Sequence, residues 1–190
     1  RSGDISSEEW VRLAEATDRL TKCELYFDDT ASITVPEIKS KIKRARDVDC
    51  IIIDYLGLME SAKKKENRVQ EISDITRNLK ILAKEMKIPV IVCAQLNRET
   101  EGKGKKSHKP QLSDLRESGS IEQDADIVMF IYRENYYKSE TEDSATPENM
   151  PDPNKAEIIV AKNRHGSVDT VELHWDGKYT RFASQDVFRQ

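Results

Sequence analysis

CIIIDYLGLMESAKKKENRVQEISDITRNLKILAKEMKIPVIVCAQ, residues 50–95, decides the fold class. It opens on Ile51-Ile52-Ile53-Asp54, an apolar run too short and too β-branched for a helix, which predicts a buried strand ending in an acid. After a charged loop, Val69, Ile72, Ile75, Leu79, Leu82 and Met86 recur at steps of three and four, the stripe of a long amphipathic helix. Pro89 then introduces a second strand over residues 90–94, closed by Gln95. Strand, crossover helix and strand, with strands apolar throughout rather than on alternate positions, predict a parallel sheet covered on both sides, the α/β class.

Outward toward the N-terminus, Thr34-Val35-Pro36-Glu37 starts another helix with proline in its first turn, carrying Ile38 and Ile42. Leu25, Tyr26 and Phe27 read as a short strand closed by Asp28-Asp29-Thr30. Before them Ser6-Ser7-Glu8-Glu9 caps a helix bearing Trp10, Leu13, Ala14, Thr17 and Leu20 and ending near Lys22. Outward toward the C-terminus the texture changes after Asp126. Residues 127–132, 156–162, 168–175 and 179–183 read as strands with no room for helices between the last three, so they are expected as antiparallel additions at one sheet edge. Asp176-Gly177 marks a hairpin, and residues 134–154, with three prolines and many acids, mark a surface excursion. There is neither an internal repeat nor a domain-splitting linker, so one domain over 1–190 is expected.

Composition narrows the function classes. The 190 residues carry 31 basic and 35 acidic side chains for a net charge of −4, with 37% hydrophobic and 35% charged residues, which suits a domain with an ordinary core and opposes disorder or coiled coil. No apolar run reaches the roughly 18 residues of a membrane span. Cys23, Cys50 and Cys93 are odd in number and lack C-x-x-C spacing, and His108, His165 and His174 are scattered, so neither a disulfide frame nor a zinc site is expected and a reducing cytosol is. The charge balance opposes a uniformly basic nucleic-acid coat, although clusters at 41–46, 63–65 and 103–109 suit phosphate locally. The 103–109 run reads either as a mobile solvated loop or as an electrostatic attractor of nucleic acid. Trp10, Trp175 and the methionines are assigned to packing. The chain starts at Arg1 with no charged-then-apolar leader, so no secretion signal is expected, and it reads as a piece of a longer chain.

Four groups of residues suit chemistry. Asp54, at the carboxyl end of its strand, stands where α/β sheets bind ligands and either acts on Mg²⁺ through water or caps the following turn. Gln95, ending the next strand after a full crossover, lies beside Asp54 if the two strands are neighbours, and an amide there suits sensing a γ-phosphate or positioning water. Gly119-Ser120, with Gln123 three residues past Ser120, has capping-box spacing. Free N–H groups at such a helix start, beside Arg116, suit successive phosphates of a nucleic-acid strand or belong to a solvated cap. Lys162 and Arg164 share one side at a strand end, with Gly166 turning the chain back, and form either a solvated pair or an arginine finger completing a neighbour's phosphate site.

Together these segments resemble the C-terminal ATPase domain of the DnaB-type bacterial replicative DNA helicases, hexameric motors with a RecA-like P-loop NTPase core. The resemblance spans nearly the whole chain through Tyr26-Phe27-Asp28-Asp29-Thr30, Ile51-Ile52-Ile53-Asp54-Tyr55-Leu56-Gly57-Leu58, Asn67-Arg68 with Glu71-Ile72-Ser73, residues 90–98, and Ile159-Val160-Ala161-Lys162-Asn163-Arg164-His165-Gly166. Its most specific run is Asp114-Leu115-Arg116-Glu117-Ser118-Gly119-Ser120-Ile121-Glu122-Gln123-Asp124-Ala125-Asp126.

The resemblance implies that Asp54 is the Walker B acid acting on Mg²⁺ of bound ATP, and that Gln95 links nucleotide state to DNA. It implies that Arg116, Glu117, Gly119 and Ser120 lie in the loop that tracks single-stranded DNA. Lys162 and Arg164 would reach the adjacent subunit's nucleotide, within a homohexamer that unwinds duplex DNA in the bacterial cytoplasm and meets primase and a helicase loader. Gly57 stands where many relatives carry Gln. No G-x-x-x-x-G-K-[ST] occurs, and the family's catalytic Glu is missing as well. Both are expected upstream, so the piece is expected to be the later part of the motor domain and to hydrolyse ATP poorly alone. The alternatives are a RecA-like ATPase of another branch, which residues 113–126 oppose, and a non-catalytic module that binds single-stranded DNA or a helicase loader.

Overall fold

The computed structural model describes residues 5–45, 47–63, 65–96, 109–115, 119–138 and 152–185. The chain divides into two units, Arg1–Ala31 and Ser32–Gln190. In the first, helix α1 (Ser7–Thr21) begins at the expected cap: Ser6 Oγ accepts from the Glu9 N–H, and the Glu9 carboxylate accepts from the Ser6 N–H at 2.8 Å. No residue of α1 is buried, and Trp10, assigned to packing from its spacing, is exposed. Leu25, Tyr26 and Phe27 form no strand, and Phe27 is 91% exposed. A strand needs a hydrogen-bonding partner, and among the described residues these three have none in a ladder.

The second unit is built on α2 (Val35–Ala45), β1 (Ile51–Ile53), α3 (Arg68–Met86), β2 (Val90–Val92), α4 (Gly119–Asp124), β3 (Ile127–Tyr132), α5 (Glu134–Lys138), β4 (Lys155–Asn163), β5 (Asp169–Asp176) and β6 (Arg181–Ser184). β1 and β2 pair in parallel with Ile51 opposite Val90 and Ile53 opposite Val92, joined by α3 as the crossover. The remaining strands form an antiparallel sheet in the order β3-β4-β5-β6. The α/β class and the antiparallel pairing of the C-terminal strands thus follow the sequence reading, but their expected attachment at an edge of the parallel sheet does not: among the described residues the two sheets share no ladder, because each strand of the second sheet pairs within that sheet. Each predicted helix and strand of this unit is present within a few residues; only α5, inside the expected surface excursion, has no counterpart in that reading.

Helix α3 organises the larger core. Asn67 caps it, its Oδ1 accepting from the Gln70 N–H at 2.9 Å, and Lys87 ends it in the left-handed region at φ 58° just before Pro89. Its buried face, Ile72, Ile75, Thr76, Leu79 and Leu82, packs with Val35 and Ile42 of α2 and with Leu56 and Met59. A smaller cluster of Leu115, Val128 and Phe130 joins it through Ile121, which touches both.

The faces of the strands differ from expectation as well. Their continuous apolar runs predict two covered faces, yet Ile52 is 70% exposed and Ile91, Ile127, Met129 and Ile131 are exposed with it. Alternate residues of a strand face opposite ways, and among the described residues helices cover one of the two faces.

Candidate nucleotide and nucleic-acid site

The carboxyl end of the parallel pair brings the first two predicted residues to one edge. The Cys93 N–H donates to Ile53 O at 2.9 Å, and the Leu56 N–H donates to Cys93 O at 2.9 Å. Asp54 and Tyr55 are therefore held between two backbone bonds to the neighbouring strand, while Gln95 follows two residues after Cys93. Both Asp54 and Gln95 are exposed. The Asp54–Tyr55 peptide is cis, and a Cβ on Gly57 would lie 2.3 Å from the Tyr55 ring, so the ring occupies the space a side chain at Gly57 would need.

The loop after Asp54 is tied down onto the start of α3. Arg68 Nη2 donates to Gly57 O at 2.8 Å, and its Nη1 pairs with Glu71 at 2.7 Å. The Ser61 hydroxyl donates to Asp74 at 2.7 Å and Lys65 pairs with Asp74 at 3.2 Å. The Arg68 hydrogen bond, then the Ser61 N–H, hold the Glu71 carboxyl below the usual carboxylate range. The Ser61 hydroxyl does most to lower Asp74, with Lys65 adding to it against partial burial. Arg68 and Glu71, two of the residues that carry the resemblance, thus act on the backbone that follows Asp54, while Asn67 caps the helix that presents them.

Asp54 offers one exposed carboxylate at this edge, a donor that could act on Mg²⁺ through water. It does not make a metal cage: among the described residues no group of three or more His, Cys, Asp or Glu side chains is placed to hold a metal.

The second pair, Lys162 and Arg164, stands apart from Asp54, on the end of β4 and the turn that follows. Both cations reach the same short segment. Lys162 Nζ donates to Glu122 O. The Arg164 N–H donates to Asp126 O at 2.9 Å, and Arg164 Nη1 meets Asp126 Oδ1 at 3.3 Å. Asp126 also accepts from Lys80 of α3, and two turns of polar contact result, because Thr76, one turn earlier on α3, donates to Asp124 at 2.7 Å. Lys80 first, then Arg164 and His165, hold the Asp126 carboxyl below its ordinary value. Reading the sequence places Asp126 at the end of its most specific run but gives it no role, and it does not single out Lys80. The signal present was Thr76 and Lys80 four apart beside the apolar stripe of α3.

Of the four residues expected to meet DNA, Arg116 and Glu117 lie outside the described residues, as does the 103–109 run apart from Lys109. Gly119 and Ser120 form the first turn of α4. The helix starts at Gly119, so Ser120 is its second residue rather than its cap, and the Ser120 hydroxyl is buried with no hydrogen-bond partner among the described residues. Trp175 is packed as expected, its ring 4.6 Å from Phe182 and under the Arg133 guanidinium at 4.2 Å. Met59 is buried, whereas Met129 is exposed. The three cysteines are free and exposed. No helix among the described residues is long and apolar enough to cross a membrane.

The family model for the DnaB-like helicase C-terminal domain matches residues 1–184. The chain is 44% identical over 188 residues to the replicative DNA helicase DnaB of Geobacillus stearothermophilus, covering 97% of this chain and 39% of that protein. The replicative DNA helicase DnaC of Bacillus subtilis is also 44% identical over 188 residues with the same shares. Among solved structures, a DnaB-like replicative helicase, described with its interactions with primase, superposes with a TM-score of 0.81 at 37% identity, over 96% of this chain and 42% of that one. A second solved structure, of an ATPase domain, superposes with a TM-score of 0.81 at 38% identity, over 95% of this chain and 62% of that one. The chain therefore spans 39% of the length of the curated relatives it matches.

Proposed function

The chain belongs to the DnaB-like helicase C-terminal domain family, and from that premise we propose that it is the later part of a motor domain in a ring-shaped replicative helicase, which couples ATP hydrolysis to movement along single-stranded DNA. One observation carries the reading: Asp54 and Gln95, at the ends of two strands joined by a full crossover helix, emerge at the same carboxyl edge of a parallel pair, the place where open α/β sheets hold nucleotides.

Each residue has a definite task in this proposal. Bound Mg²⁺ would screen charge on the β- and γ-phosphates of ATP. Asp54 would act on that ion through water, and its own position is held by the two backbone bonds to Cys93. Gln95, on the adjacent strand end, accepts or donates at the γ-phosphate side and passes its state to the segment that follows. Gly119 and Ser120, with Arg116 and Glu117, follow the DNA backbone. Lys162 and Arg164 serve the phosphate of an adjacent copy, so they need not lie near Asp54 in their own subunit; Arg164 stabilises charge that grows in the transition state. The proposal includes a homohexamer, a primase and a loader as partners, and a cytoplasmic place at the replisome. This chain supplies neither the phosphate-cradling loop nor its Lys and Mg²⁺-binding hydroxyl, so it is expected to be nearly inactive by itself.

The test is ATP turnover by this chain and by the full-length protein, each with and without single-stranded DNA, beside Asp54→Asn. DNA-stimulated turnover in the full-length protein, lost in Asp54→Asn, cut to a small residual rate in Arg164→Ala and absent from the short chain, is the expected result. Turnover by the short chain that Asp54→Asn removes would overturn the division of labour. A full-length protein that binds single-stranded DNA without hydrolysing ATP would favour the non-catalytic module.

A further inference from the structure

The cations proposed to serve a neighbouring nucleotide do not hang freely from their hairpin. Lys162 reaches the Glu122 carbonyl at the last turn of α4, and Arg164 is bonded to Asp126 through both its backbone N–H and its guanidinium. Two bonds from one residue to one residue fix more than position. The backbone bond sets where the turn sits, and the side-chain bond selects among the rotamers of a long, flexible arginine.

The carboxylate that does this is itself oriented. Asp126 divides its oxygens, Oδ2 to Lys80 and Oδ1 to Arg164. Lys80 stands on α3, whose previous turn is pinned to the same segment by Thr76 on Asp124. Helix α3 is the most deeply packed element of the unit, with Ile75, Leu79 and Leu82 in the core. The order of support therefore runs from the core, through Lys80, to Asp126, and from there to Arg164. Residues 122–126 follow Gly119 and Ser120 after Ile121 alone, so the segment that anchors both cations is continuous with the one proposed to follow DNA.

We propose that Asp126, oriented by Lys80, is a positioning residue that holds Arg164 in reach of the adjacent subunit's phosphate. This rests on the reading of Arg164 as the residue acting in trans.

The experiment uses the full-length protein and DNA-stimulated ATP turnover. Asp126→Asn keeps the volume and removes the charge; kcat should fall about tenfold, as expected for a misplaced group, while KM for ATP stays within about twofold. Lys80→Met should lower kcat in the same direction by about threefold, since the carboxylate stays but loses its orientation. In the Arg164→Ala background, Asp126→Asn should change the residual turnover no further, because its effect passes through Arg164. Asp126→Glu should recover part of the lost rate. Three results would overturn the inference alone: wild-type kcat in Asp126→Asn while Arg164→Ala keeps only its residual rate, a further loss on top of Arg164→Ala, or a loss in kcat matched by a lower melting temperature. Wild-type turnover in Arg164→Ala would overturn the reading beneath it as well.

Discussion

Truncating Ile75 to alanine tests whether α3 organises the core as its burial implies. Ile75 is 1% exposed, on the face of α3 that meets Leu56, Met59 and the strands, whereas Ile81 on the same helix is 44% exposed. The substitution removes three carbons, worth about 0.8 kcal/mol each in transfer from water, or about 2.4 kcal/mol. A partly collapsed cavity of about 50 Å³ adds about 1.2 kcal/mol at about 24 cal/mol per Å³, for a loss of about 3.6 kcal/mol. In a protein of this size that lowers the melting temperature by roughly 7–14 °C. Ile81→Ala leaves no cavity and gains helix propensity, so it should stay within about 0.5 kcal/mol of the parent. Thermal melts followed by circular dichroism at 222 nm, with urea titrations beside them, read both variants. Equal losses in the two, or a loss below about 1 kcal/mol for Ile75→Ala, would refute the placing of α3 at the centre of the core.

Three further outcomes are expected. The capping box of Ser6 and Glu9 carries α1 without help from burial, so Ser6→Ala should cost about 1 kcal/mol and visibly lower the helicity of a peptide spanning residues 5–22; unchanged circular dichroism would refute it. Asp74 is held below its ordinary value in the folded state, chiefly by Ser61, so its stabilising effect is present above the unfolded value of about 3.9 and is lost as pH falls through the folded one. The melting-temperature gap between the parent and Asp74→Asn should therefore be full near neutrality and close below about pH 4; a gap that widens in acid would contradict the assignment. Arg133 stacks on Trp175 at 4.2 Å, so Arg133→Gln should shift Trp175 fluorescence, read in a Trp10→Phe background, and cost no more than about 1 kcal/mol; an unchanged spectrum would refute the contact.

Much of the candidate site is legible in the sequence because its signals are local. A run such as Ile51-Ile52-Ile53-Asp54 states both the strand and the acid at its end, and the stripe from Ile72 to Leu82 states the crossover that makes the next strand parallel. Gln95 shares an edge with Asp54 only if the two strands are neighbours, which the pairing of β1 with β2 supplies. The resemblance through residues 114–126 supplies roles that spacing leaves open. Local signals fail where an element depends on something distant. Leu25, Tyr26 and Phe27 have strand composition but no ladder partner among the described residues, and the apolar run of β3 does not say that Ile127, Met129 and Ile131 stay exposed.

By itself, then, the sequence determined the α/β class and most of the order of elements, because periodicity and caps are properties of neighbours along the chain, while its motifs carried the resemblance to the family. Only the tertiary structure decided that Asp126 faces both Lys80, 46 residues before it, and Arg164, 38 residues after it. Charge pairing carries no sequence signature at such separations: a carboxylate accepts from any cation the fold delivers, and delivery is set by the packing of α3 against α4 and by the path of β4 beside β3.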